Sequence, residues 1–220
     1  MKTKILMVLL FIILKSNGQN ENQHSTFFCL TPLTKKMNTK VNGLAFGLGL
    51  DLFLKQNSIK KVNGINIEIN PLFPLVLVIA DPSRNGFAED KTIKVNGISI
   101  GTGNAAIDQS IAHTGIQVSL FNAGYSCNGV SLNLIYEYET KQNGLNIAGL
   151  SSVTKNSNGI TISLLNESER FNGLQIGAYN ETIHFNGLQI GLLNKSKTQH
   201  GLQIGLWNIN TKRSFPFLNW

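Results

Sequence analysis

Cysteine is nearly missing from this sequence: two residues, Cys29 and Cys127, in 220. The four histidines, His24, His113, His184 and His200, are scattered without HxxxH or HExxH spacing. With no cysteine cluster either, no metal site is expected. No grouping of Ser, His and acid falls in a nucleophile arrangement. Gly101-Thr102-Gly103 lacks the downstream GK[ST] of a phosphate loop, and the GGxGxD signature of calcium-binding rolls is absent. Asp51, Glu68, Asp81 and Asp108 are isolated carboxylates, Glu68 lying on the strand face opposite Ile67 and Ile69, where solvent exposure is the simplest expectation. No catalysis and no cofactor are expected.

Long apolar runs are also scarce. The stretch Ile5–Leu14 is ten residues, preceded by Lys2 and Lys4 and followed by small and polar residues. A spanning helix needs about 20 apolar residues, so residues 1–19 read as a secretory signal peptide. Cys29 lies too far beyond Leu14 for a lipoprotein anchor. Without Lys2, Lys4 and Lys15 the charge falls to 16 basic against 12 acidic residues. That mild excess is not the clustered footprint of a nucleic-acid binder. In an oxidising compartment Cys29 and Cys127 are free to pair, although Cys127 equally suits a small buried position.

What the chain does have is a repeat. Glycines at 43, 64, 97, 115, 129, 144, 159, 173, 187 and 201 each open a unit, and from Gly115 onward they are 14 or 15 residues apart. Self-similarity at a fixed period is the mark of a stacked architecture. Asn precedes the glycine in eight units, including Asn172-Gly173 and Asn186-Gly187, while His200 precedes Gly201. Asn-Gly tolerates positive φ, so each unit is expected to begin at a tight turn. A second asparagine, such as Asn180 or Asn194, follows seven residues after the glycine and marks a second corner. The expected structural turns are therefore Asn172, Gly173, Asn186, Gly187, Asn194 and Gly201. After each glycine apolar residues alternate with polar ones, as in Leu188, Gln189, Ile190. Alternation implies strands buried on one face, with Ile190 expected inside and Gln189 outside.

Four further segments follow. Residues 20–40 lack the repeat and read as an N-terminal cap, and 41–210 form the β-repeat domain. Residues 71–91 interrupt it as an irregular insertion containing PLFPLVLVIA, a core plug or an apolar tip for a membrane or partner. Residues 211–220 close the chain as an aromatic cap, where Pro216 excludes a central strand.

The expected fold is all-β, with one strand per unit of about 14 residues. A β-solenoid is favoured by the constant length, since every coil must close over the same perimeter and like residues then stack. The alternative is an antiparallel meander closed into an outer-membrane β-barrel of about ten strands, supported by polar connections but opposed by segments shorter than the ~9–11 residues of a spanning strand.

The motifs NGLQIGLLN, HGLQIGLWNIN and KRSFPFLNW resemble the GLQIGLxN surface-repeat proteins of spirochaetes and Bacteroidota. The resemblance is specific in the last three units and implies export to the periplasm, outer membrane or cell surface. It supplies no site residues, because that family is functionally uncharacterised. Two functions remain: a structural or adhesive envelope protein whose Asn-, Gln- and Gly-rich surface binds a surface molecule, glycan or membrane component, or a membrane barrel acting as a small channel. An enzyme is a distant third, kept only because catalytic residues can sit in irregular insertions such as 81–91.

Overall fold

The computed structural model describes residues 24–31, 39–48, 59–71, 73, 86–89, 93–103 and 111–220. The expected signal peptide, most of the 71–91 insertion, Asp51, Asp81, Asp108 and Asn104 lie outside the described residues. Eight strands follow in chain order through one sheet: β1 (Ser25–Thr31), β2 (Thr39–Gly47), β3 (Ile59–Glu68), β4 (Ile93–Gly101), β5 (Ile111–Ala148), β6 (Ser151–Ile162), β7 (Leu165–Ile209) and β8 (Ser214–Asn219). Every pairing from β1/β2 to β6/β7 is parallel, and only β7/β8 is antiparallel.

β5 and β7 contain 38 and 45 residues. Extended, each would exceed roughly 120 Å at about 3.3 Å per residue, so they cannot be single straight strands. They wind instead through successive coils. A Cβ built on Gly129 would lie 2.1 Å from the Gly115 carbonyl oxygen, and one on Gly144 2.1 Å from that of Gly129. Successive units therefore sit one rung above another, as a solenoid requires. The antiparallel meander and its closed barrel are overturned, because neighbouring units run parallel and the sheet ends at β1 and β8.

The register keeps like on like: Gly43 pairs with Gly64, Gly64 with Gly97, and Gly97 with Gly115. Gaps of 21 and 33 residues in the early units are thus absorbed between rungs without shifting the ladder. The expected cap contributes β1 as a parallel rung in its own right, with Phe28 opposite Leu44 and Leu30 opposite Phe46. At the other end β8 crosses the last coil, with Asn219 opposite Gln203 and Leu218 opposite Ile204. Pro216 fits there because an outermost strand does not need its missing N–H.

The two faces of the repeat strands are the reverse of the expectation. Gln175, Gln189 and Gln203 are fully buried, whereas Ile190 and Ile204 retain 37% and 39% of their surface. Asn166, Asn180, Asn194 and Asn208 also point inward. Burying an amide is costly unless it is hydrogen-bonded, and in-register stacking supplies a partner one coil away. Gln203 Nε2 donates to Gln189 Oε1 at 2.8 Å and Gln189 Nε2 to Gln175 Oε1 at 2.7 Å. Across the lumen Gln189 Nε2 also reaches Thr182 Oγ1 at 3.2 Å. A parallel ladder of asparagines runs from Asn166 through Asn180 and Asn194 to Asn208 at 2.7–2.8 Å. Asn219 of β8 terminates the glutamine ladder by donating to Gln203 Oε1 at 3.1 Å.

Aliphatic packing fills the lumen at the N-terminal end, where Cys29, Val41, Ala45, Ile59, Val62, Ile93, Val95 and Ile111 cluster. Further along, the column that begins with Val41, Val62 and Val95 becomes Phe171 and Phe185, stacked at 6.4 Å between ring centroids. Cys29 and Cys127 are both buried and form no disulfide with one another.

Candidate functional site

Inward side chains at Phe185, Gln189, Asn194 and Ser196, with non-buried residues between them, divide the coil around Gly187 into three short sides. The first side carries the residues one and three places after the glycine. In all ten units both are aliphatic or phenylalanine, from Leu44 and Phe46 to Leu202 and Ile204, and none is buried. With Phe28 and Leu30 of β1 they form an eleven-rung wall. At about 4.8 Å per rung this wall is roughly 50 Å long. Its area, on the order of 700 Å², exceeds the roughly 300–600 Å² of the largest apolar patch on a typical monomer.

Gly187 hinges this side to the next. Its φ is 131°, and an added Cβ would lie 2.0 Å from the Gly173 carbonyl oxygen, so no other residue fits without moving the rung. Gly173 and Gly201 repeat the arrangement one coil away on either side. Asn172 and Asn186, beside them, are exposed and linked by a 3.0 Å bond from Asn186 Nδ2 to Asn172 Oδ1. Asn194 is placed differently: it is buried at the second corner, donating to Asn208 and to the Ile204 carbonyl at 2.9 Å. The structural-turn residues thus divide into an outer Asn-Gly corner and an inner asparagine ladder.

The outer corner leads to the third side, three residues before each glycine. Lys40, Lys61 and Lys94 stack in register there, the buried Ala112 and Ser126 interrupt the column for two coils, and Lys141, Asn156 and Arg170 resume it. The second side, opposite, holds Glu167, Glu169 and Glu181 among lysines, with Glu181 bridged to Lys195 at 2.8 Å.

Inside the coil that opens at Gly129, the asparagine ladder is replaced by acids. Glu137 stands opposite Ser152, in the column of Asn166, and Glu139 opposite Thr154. Both are completely buried. Ser131 Oγ donates to Glu137 Oε1 at 2.8 Å and Asn122 Nδ2 to Glu139 Oε1 at 2.6 Å, while the second oxygen of each carboxyl has no hydrogen-bond partner. Burial raises Glu137 to about 7 against the lowering effect of Ser131, Asn146 and Asn133. Burial, then the neighbouring charge of Glu137, holds Glu139 well above the carboxylate range. The Cys127 thiol is pushed up by burial and by both acids, so it stays protonated and unreactive. His113, two residues before Gly115, is buried opposite Val95, and burial lowers it to about 4. Glu68, expected in solvent, is buried too, and its Oε1 accepts from Asn66 Nδ2 at 2.5 Å.

No protein-family model matches the chain, and no curated protein or solved structure matches it either. The buried acids can hold protons but present no face to a substrate. Among the described residues no group of three His, Cys, Asp or Glu side chains could hold a metal ion, and none of their helices is long and apolar enough to cross a membrane. The aliphatic wall is the surface with unspent binding capacity. Its signal in the sequence was the identity of the polar columns: amide ladders require the same residue in every coil, while an outer aliphatic column accepts Leu, Ile, Val or Phe.

Proposed function

We propose that this is a non-catalytic, exported envelope protein with a structural or binding role, held against an apolar partner by its aliphatic wall. The wall carries the reading, since a continuous apolar strip of that size gains by leaving water. The leader-like pattern of residues 1–19 and the GLQIGLxN resemblance support the compartment. A glycan is a poorer occupant than an apolar partner, because the glutamines that would bond it lie inside the lumen.

Cell fractionation tests the role. Ile147→Lys combined with Ile190→Lys changes two outward side chains and should leave the β-sheet circular dichroism unchanged while moving the protein from the envelope to the soluble fraction. A double variant that remains with the envelope defeats the proposal.

A further inference from the structure

We infer that the occupant of the aliphatic wall is an anionic lipid surface, on which the wall lies flat with the basic column of the third side at the headgroups; this rests on the docking role above and specifies its partner. Three observations select a lipid surface. The wall is a strip two side chains wide and eleven rungs long, whose backbone groups are already bonded between rungs. A sheet face with a satisfied ladder can touch hydrocarbon without stranding a donor.

Charge is the second. Lys40, Lys61, Lys94, Lys141 and Arg170 border the wall, and among the described residues no acid shares their column or the wall. Lysine stems can lie along apolar surface while their ammonium groups reach headgroup phosphates. A second copy packed wall to wall with its coils reversed would bury the aliphatics but set this basic column against its own equivalent, with no carboxylate between them.

The third lies at the C-terminal end. Arg213 stacks over the Trp220 ring at 4.4 Å, and Trp220, Trp207 and Phe217 are all exposed. Amphipathic aromatics and arginine together suit the boundary between hydrocarbon and headgroups.

Trp207 and Trp220 are the only tryptophans in the chain, so their fluorescence reports the encounter directly. With the full-length protein, vesicles of phosphatidylcholine mixed with phosphatidylglycerol should shift the emission to the blue, and brominated acyl chains should quench it. Pure phosphatidylcholine should bind far more weakly. Lys61→Gln, Lys94→Gln and Lys141→Gln together should weaken partitioning to anionic vesicles roughly a hundredfold, about fivefold per charge, with circular dichroism unchanged. Ile147→Asp with Ile190→Asp should abolish it. Equal binding to both vesicle types, or indifference to the lysine changes, overturns the inference. So does a dimer in sedimentation that Ile190→Asp dissolves, which would make a second copy the occupant. If vesicles fail to bind while envelope retention still depends on Ile147 and Ile190, the docking role stands and the lipid assignment falls.

Discussion

At Gln189 and Ile190 neighbouring side chains occupy opposite worlds, and their substitution distinguishes the polar lumen from the aliphatic outside. Gln189 bonds Gln175, Gln203 and Thr182, so Gln189→Lys places an unpaired charge in a closed ladder. A cost on the order of 3–5 kcal/mol is expected. Ile190, 37% exposed, should tolerate Asp within about 1 kcal/mol. Thermal melting of the two variants checks this, and equal losses would contradict the assignment of faces. The alternation and its period were legible at these two positions. Its phase was not, because period 2 fixes that one face differs from the other without saying which is wet. Ordinary burial preferences place Ile inside, and here repeated amide bonding in a narrow lumen outweighs them.

Within the coil that opens at Gly129, protonation takes over the task that amides perform elsewhere. Glu137 is raised to about 7 when folded, so its contribution is full below its unfolded value of about 4.5 and is lost as pH rises through about 7. His113 is depressed to about 4, so its contribution is present above about 6.5 and is lost as pH falls through about 4. Between about 4.5 and 6.5 the two slopes oppose one another. Glu137→Gln with Glu139→Gln should therefore be more stable than the parent at pH 8, with an advantage that disappears toward pH 4.5. Denaturant midpoints across that range measure it, and a pH-independent difference would remove the acids as its source. Nothing in the repeat marked these residues, since Glu137, Tyr138 and Glu139 look like a polar connection until the coil's extra residue is counted and Glu137 is seen to fall in the asparagine column.

Across the whole molecule each coil meets only the coil before and the coil after. Deleting residues 173–186 joins Asn172 to Gly187 and restores the same Phe-Asn-Gly-Leu-Gln-Ile-Gly junction. Thr161, which lies below Gln175, then meets Gln189, and the Phe171 ring keeps its place in the column. The variant should fold with parallel β circular dichroism and a melting temperature lowered by about one coil's share. Aggregation or degradation of this variant would argue against nearest-neighbour stacking. Stack and corner spacing were recoverable from the glycine period, whereas the direction of pairing was not, because a constant unit length favours coils without excluding a meander. The expected cap at 20–40 was not resolved as a rung, because β1 lacks the Asn-Gly mark that identifies the others.

The same ladders make the protein's length adjustable in steps. Duplication or loss of fourteen codons adds or removes one rung and keeps the backbone ladder between the remaining rungs. Each such event lengthens or shortens the aliphatic wall by about 4.8 Å. Avidity for a surface is thus open to selection through copy number alone, without a change in any single side chain.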